Sequence, residues 1–294
     1  MNALERGFLL LSSHLGAPDR RCLTAPQLRI LADRVKNAEN PGGDRELCEG
    51  DLVALGCSRE MARRIVGLLE EVDVLDYYLK RGAGCGCVPI TRVTESYPLI
   101  LRQRLGLDST GCLWAKGDLR ILNTPAIALV GSRDLREANR EFAAAVGRQA
   151  AEQGLTLVSG NARGADRTAQ EACLRAGGRV ISIVADELCK HMPKRNVLYL
   201  SEDGFEESFS AQRALSRNRC IHALGRMVFV AQSDYGRGGT WDGTVKNLRF
   251  GWSSVVCFND GSEAVRQLEQ MGAYLIKTED LADFSLPEAE ITFF

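Results

Sequence analysis

Ala126-Ile127-Ala128-Leu129-Val130-Gly131-Ser132-Arg133 is the stretch that decides the fold. Five apolar residues in unbroken succession suit a strand buried on both faces, as in a parallel sheet covered by helices. The run stops on a glycine followed by polar residues. Spacing then predicts a helix from about Leu135 to Gln153 and a turn at Gly154. The unit repeats as an apolar run Leu155 to Ser159, a glycine-bearing loop, a helix to Ala176, the turn Gly177-Gly178 and a strand Val180 to Val184. Farther along come a helix Ala211 to Leu224, a strand Met227 to Ala231, a glycine-rich loop and a helix through Leu248. A strand Ser254 to Phe258, a helix Ser262 to Met271 and a strand Tyr274 to Lys277 follow. Alternation of this length predicts an α/β protein with a doubly wound, mostly parallel, Rossmann-like sheet.

Working back toward the N-terminus, the pattern is different. Residues 1–90 show helical spacing and few strand-like runs, and the reading is a small helical domain over 1–90, a connecting segment over 91–124 and the sheet domain over 125–294. Leu52, Leu55, Ala62, Ile65, Leu68 and Leu69 recur at helical spacing, interrupted by Gly56-Cys57-Ser58, with Ser58 placed to cap the second helix. The arrangement is similar to a SAM or helix-hairpin-helix unit. Its glycine turn either offers N–H groups to a phosphate or serves packing alone, and the sequence leaves both open. Asn37 to Arg45, with Pro41-Gly42-Gly43, reads as a loop.

Composition narrows the function classes. In 294 residues, 37 Lys and Arg nearly cancel 38 Asp and Glu, so a polyanionic partner must be met by a local patch. The short Phe8-Leu9-Leu10-Leu11 run is too brief for a signal-peptide core or a membrane span, and the expected location is cytoplasmic. Ten cysteines are scattered at 22, 48, 57, 85, 87, 112, 173, 189, 220 and 257 without a Cys-x-x-Cys pair, and histidines number three. No metal site and no cofactor are expected.

In an open parallel sheet, the loops leaving the carboxyl ends of the strands converge on one crevice. Four of them carry the candidate site. Gly131-Ser132-Arg133 combines close backbone approach, a hydroxyl and a planar cation suited to phosphate. Ser159-Gly160-Asn161-Ala162-Arg163-Gly164-Ala165-Asp166 places two glycines before a helix, with Asp166 read as capping that helix or ordering Arg163. Arg213, Arg217, Asn218 and Arg219 lie on one predicted helix, with Arg213 and Arg217 sharing a face. Gly236-Arg237-Gly238-Gly239-Thr240 again permits close backbone approach, with Thr240 placed to cap the next helix. No loop carries the Walker or Gly-x-Gly-x-x-Gly pattern, and no nucleophile stands beside a base, so no catalytic residue is assigned.

The order of motifs is more specific than any one of them. Tyr97-Pro98-Leu99-Ile100-Leu101-Arg102, Leu113 to Leu119, Ile127 to Arg133, Gly154 to Gly160 with Ala162, Gly164 and Asp166, and Ser216-Arg217-Asn218-Arg219-Cys220-Ile221 together resemble the DNA-processing protein A (DprA/Smf) family. The resemblance spans roughly residues 93 to 277. It implies a Rossmann-like domain that binds single-stranded DNA without catalysis, forms a homodimer and hands the strand to a RecA-type recombinase. It adds Gly131, Ser132, Arg133, Ser159, Gly160, Arg163, Gly164, Arg217, Asn218 and Arg219 as pocket residues. The block departs from the family pattern at Ala169-Gln170, where a histidine is usual, and at Gly239-Thr240-Trp241-Asp242-Gly243. A winged-helix tail is not expected after the last strand.

Two function classes follow. One is a single-stranded DNA binder in recombination, or a DNA-sensing antitoxin of antiphage defence with a cognate toxin as partner. Tyr235, Trp241 and Trp252 are its candidate stacking or packing aromatics. The other is a small-nucleotide sensor or a phosphoribohydrolase-like enzyme. It lacks the expected acid three residues beyond Thr240, where Gly243 stands, and has Asp242 and Glu171 as substitutes.

Overall fold

The computed structural model describes residues 1–37, 47–202, 204–282 and 284. Apart from Asn37, the loop read at Asn37 to Arg45 lies outside them. The chain forms two units, Met1–Tyr97 with Thr110–Leu113, and Pro98–Ser109 with Trp114 onward.

The smaller unit holds helices Ala3–Ser12, Ala25–Lys36, Glu49–Ala54, Arg59–Glu70 and Val72–Gly84, then a short strand β1, Val88–Thr91. Its helix starts are written locally. Asn2 and Thr24 each form a reciprocal capping box, and the Ser58 hydroxyl accepts from Met61 N–H at 3.2 Å. Gly56, at φ +85°, turns the chain between the Glu49–Ala54 and Arg59–Glu70 helices. Ala62, Ile65 and Leu68 face inward on Leu23, Leu52 and Cys57. Truncating a buried leucine such as Leu52 in a core of this kind costs about 2–5 kcal/mol.

The larger unit is built on β2 (Cys112–Gly117, from Trp114 onward in this unit), β3 (Ala126–Val130), β4 (Thr156–Ser159), β5 (Arg179–Ile183), β6 (Val197–Ser201), β7 (Met227–Val230), β8 (Ser254–Phe258) and β9 (Tyr274–Ile276). These lie in the order β2-β6-β5-β4-β3-β7-β8-β9. All neighbours are parallel except β2 and β6, which pair antiparallel with Trp114 opposite Ser201. The fold is the α/β, mostly parallel, Rossmann-like sheet expected. Ile127, Leu129, Leu157, Val158, Val228, Phe229 and Val256 are wholly buried, because helices cover both faces. Helices Glu137–Glu152 and Ala165–Arg175 pack closely, since a side chain at Gly147 would collide with the Ala169 backbone.

β2 and β6 were not among the sequence's strands. The link from β5 to β6 is a loop with a single turn of 3₁₀ helix, Leu188–Lys190, so the helical period that flags a crossover is missing. The expected helix Ala211 to Leu224 is also two helices, Ala211–Ser216 and Asn218–Leu224, broken at Arg217. No helix of the described residues is long and apolar enough to cross a membrane. No cluster of three or more His, Cys, Asp or Glu among them is placed to hold a metal ion.

Candidate anion-binding site at the reversal of strand order

From β3 the chain winds outward through β4, β5 and β6, then returns to the other side of β3 as β7, β8 and β9. Loops leaving β3, β4 and β7 diverge at this reversal and open a crevice, the standard ligand position of such sheets. Two cavities occupy it. The smaller, about 400 Å³, is lined by Gly131, Ser132, Arg133, Asn218, Gly238, Gly239 and Thr240 among others. The larger, about 870 Å³, is walled by Arg133, Gly160, Asn161, Arg163, Arg167, Lys190, Lys194 and further residues. Arg133, Ala162 and Arg217 belong to both.

The cradle is shaped by backbone. Ala165 N–H donates to Ser132 C=O at 3.1 Å, tying the β4 loop to the β3 loop. Gly131 allows this, because a Cβ there would lie 2.6 Å from that of Ala165. Gly164, at φ +86°, caps the next helix, and a Cβ there would collide with the Ser132 and Arg133 carbonyls. Asn161 also adopts a left-handed conformation, φ 60°. Gln170 donates to Ser159 Oγ at 2.6 Å and so fixes the end of β4 from below.

Arg217 is the central group. Its side chain is buried at 8% exposure, with Nη2 donating to Gly160 C=O at 3.0 Å and Nη1 to Asn218 Oδ1 at 3.1 Å. Its Nε is buried without a hydrogen-bond partner. Burial works against the guanidinium charge and pushes its pKa down, opposed by attraction to Asp166. Asp166 is buried too, and desolvation raises its pKa despite Arg217 and the Ala162 N–H that it accepts at 3.1 Å. A guanidinium this desolvated is stabilised by any anion that reaches it.

The remaining candidates fall into different places. Arg163 pairs with Asp134 at 2.8 Å, and Asp166 orders the Ala162 amide rather than Arg163. Gly164, not Asp166, occupies the cap position. Thr240 lies inside the helix Gly238–Phe250, which starts three residues earlier than expected, so it does not cap. Arg213 does not share the Arg217 surface. Its Nη1 donates to the carbonyls of Ala185, Glu207 and Ser208 at 2.6–2.9 Å and its Nη2 to Ser201 Oγ at 3.1 Å. Arg219 faces Glu202, a carboxylate with a 3% exposed side chain, at 3.2 Å. Neither arginine lines either of these two cavities. Asp242 pairs with Lys246 at 2.8 Å outside both cavities, whereas Glu171 lines the larger one. Tyr235 and Trp241 contact edge to face at 5.0 Å, and Trp252 stacks on Phe250.

Sequence reasoning passed over the loop after β5. It brings Asp186, Lys190, His191, Met192 and Lys194 to the larger cavity, with His191 bonded to Asp186 at 2.9 Å and stacked on Tyr199. The signal was present as Lys190-His191-Met192-Pro193-Lys194-Arg195 leaving the carboxyl end of an apolar strand.

Comparison with known proteins agrees with this architecture. The family model described as DNA recombination-mediator protein A matches residues 89–282. The DNA processing protein DprA of Streptococcus pneumoniae is 32% identical over 194 residues, 60% of this chain and 68% of that protein. The Bacillus subtilis protein of the same name is 29% identical over 164 residues, 52% and 54% of the two chains. A solved structure of the S. pneumoniae protein superposes with a TM-score of 0.74 at 26% identity, covering 98% of this chain and 100% of that one. A structure reported for the single-stranded DNA binding mode of DNA processing protein A from Helicobacter pylori has a TM-score of 0.55 at 23% identity, covering 67% and 94%.

Proposed function

Because the chain belongs to the DNA recombination-mediator protein A family, we propose that it binds single-stranded DNA in DNA processing and recombination, holding the strand by its phosphates at Arg133 and Arg217. One observation carries this reading: a buried, incompletely hydrogen-bonded guanidinium stands where two cavities meet, beside a second arginine and a glycine-lined backbone. Such a site grips phosphate without reading sequence, and bases stay outside its chemistry. The H. pylori relative, described as binding single-stranded DNA, supports the choice of ligand. Gly131, Ser132, Gly160, Asn218, Gly238 and Gly239 shape the cradle in this reading, Arg163 adds charge at its rim, and Ser159 and Gly164 hold its loops. Arg213 and Arg219 brace the surrounding structure. Family likeness makes a second copy of the chain and a RecA-type recombinase the partners to test first.

The test is binding of labelled oligothymidylate over a salt series for wild type, Arg133→Ala and Arg217→Ala. Each substitution is expected to weaken binding by about 1.5–3 kcal/mol and to lower the slope of log K against log salt by about one. Tight, salt-sensitive binding that survives both substitutions overturns the site. Binding of mononucleotides with no affinity for the oligonucleotide overturns the function.

A further inference from the structure

Arg133 is exposed on the loop 131–136 that leaves β3, so where its guanidinium reaches depends on how firmly that loop is held. One residue grips the loop at three points. Gln232, buried two residues beyond β7, accepts the Ser132 N–H on its backbone carbonyl at 3.0 Å. Its side-chain Nε2 donates to Asp134 C=O and its Oε1 accepts the Arg136 N–H, each at 3.0 Å. Both ends of the amide are used, which fixes its orientation, and Arg133 lies between two of the anchored residues.

The end of β8 adds a second hold. The Asp260 side chain is only 5% exposed. Its Oδ2 accepts from Arg136 Nη2 and, at 2.8 Å, from Asn139 Nδ2, while its Oδ1 accepts the Ser262 N–H at 2.9 Å. Asn139 also donates to Ala231 C=O at 2.7 Å, next to Gln232. These side chains tie the ends of β7 and β8 to the start of the helix Glu137–Glu152. A buried carboxylate or amide is costly unless its polar atoms are satisfied, and here much of that satisfaction comes from the loop of Arg133. Arg136, Asn139, Gln232 and Asp260 line neither of the two cavities.

We propose that Gln232 and Asp260 are positioning residues for strand binding: they fix the β3 loop before a ligand arrives, so that a phosphate meets Arg133 already in place. The proposal rests on the assignment of Arg133 to the phosphate made above and concerns how that arginine is presented. Preorganisation of this kind strengthens binding by sparing the entropy of ordering a loop. Loss of the hold therefore weakens strand binding through Arg133 alone.

A double-mutant cycle on oligothymidylate binding tests this. Gln232→Met keeps the length of the side chain and removes both of its hydrogen bonds, and is expected to weaken binding about three- to tenfold. In an Arg133→Ala background the same substitution is expected to change affinity by less than about twofold, because the group it presents is gone. Asp260→Asn sets an amide N–H against donors, since both Asp260 oxygens accept. It is expected to weaken binding too, whereas removal of a negative charge near a phosphate site strengthens binding by electrostatics alone. Should Gln232→Met not fold, Asp260→Asn goes through the same cycle with the same outcomes. Hydrogen exchange on the DNA-free protein reports the loop directly. The Arg136 amide is expected to exchange at least about tenfold faster in Gln232→Met than in wild type. Unchanged affinity in the wild-type background, equal losses in both backgrounds, or tighter binding by Asp260→Asn overturns the proposal and leaves DNA binding standing. A wild type that binds no strand overturns DNA binding, and the hold is then judged on exchange alone: equal Arg136 protection in wild type and Gln232→Met overturns it as well.

Discussion

Replacing Gly160 by alanine tests the cradle with a single methyl group. The Gly160 backbone lies outside the left-handed region, so alanine introduces no backbone strain. The Cβ it adds falls on the guanidinium of Arg217, inside contact distance of Nη1, Cζ and Nη2. Being the end of a long side chain, the guanidinium swings away, and the bond from Nη2 to Gly160 C=O, now 3.0 Å, is lost. A hydrogen bond from a charged donor contributes about 1.5–3 kcal/mol. If Arg217 is the phosphate contact, oligothymidylate affinity falls about ten- to a hundredfold and the salt slope drops by about one. Melting followed by circular dichroism supplies the control, together with Gly154→Ala. At Gly154, φ is +71° and nothing lies within 4 Å of a Cβ, so that variant loses about 1 kcal/mol of stability and no DNA affinity. A folded Gly160→Ala protein with unchanged affinity and slope would refute the placement of Arg217 at the phosphate.

Four further outcomes are expected. Arg213→Ala lowers the melting temperature, since it removes bonds to three carbonyls and Ser201, but leaves the DNA salt slope unchanged, unlike Arg133→Ala. His222 is wholly buried, and desolvation pushes its pKa down to about 3. The unfolded chain therefore binds the proton first, and stability is lost at about 1.4 kcal/mol per pH unit as pH falls from about 6.5 toward 3. Denaturant titrations of wild type and His222→Gln compare the slopes, and equal acid sensitivity would exclude this cause. Asp166 is shifted upward by burial, so its charged form opposes folding, and stability declines as pH rises from about 4 through its folded value. Asp166→Asn is expected to flatten that part of the profile, read by the same titrations. Alkylation at neutral pH is expected to reach exposed Cys48 and Cys85 first, and Cys112 and Cys257, with thiols pushed up to about 12 by burial, last by peptide mapping.

The central strands were legible because each is a short apolar run ending on a glycine or polar loop, and β3 and β8 match their expected bounds residue for residue. β2 and β6 were not, for a physical reason. Their pairing is antiparallel and long-range, joining Trp114 to Ser201 across a segment whose own periodicity says nothing of it. At the site, glycines and cradle arginines were readable from loop chemistry. The fate of a given arginine was not. Arg213 and Arg217 are four residues apart, yet a helix break sends one to carbonyls behind the loops and the other to the crevice. The lysines after β5 were missed because their loop has no glycine signature, although strand order places it at the same rim.

The gathering of six arginines and lysines around one crevice, on a chain of net charge −1, bears on the kinetics of the proposed strand binding. At physiological salt, charges farther than about 8 Å are screened, so on this reading the crevice attracts a strand only at short range. Encounters then occur at the ordinary, unsteered rate of about 10⁵–10⁷ M⁻¹s⁻¹, nearly indifferent to ionic strength. Salt acts instead on residence time: adding it shortens how long a captured strand stays, while the frequency of capture hardly changes.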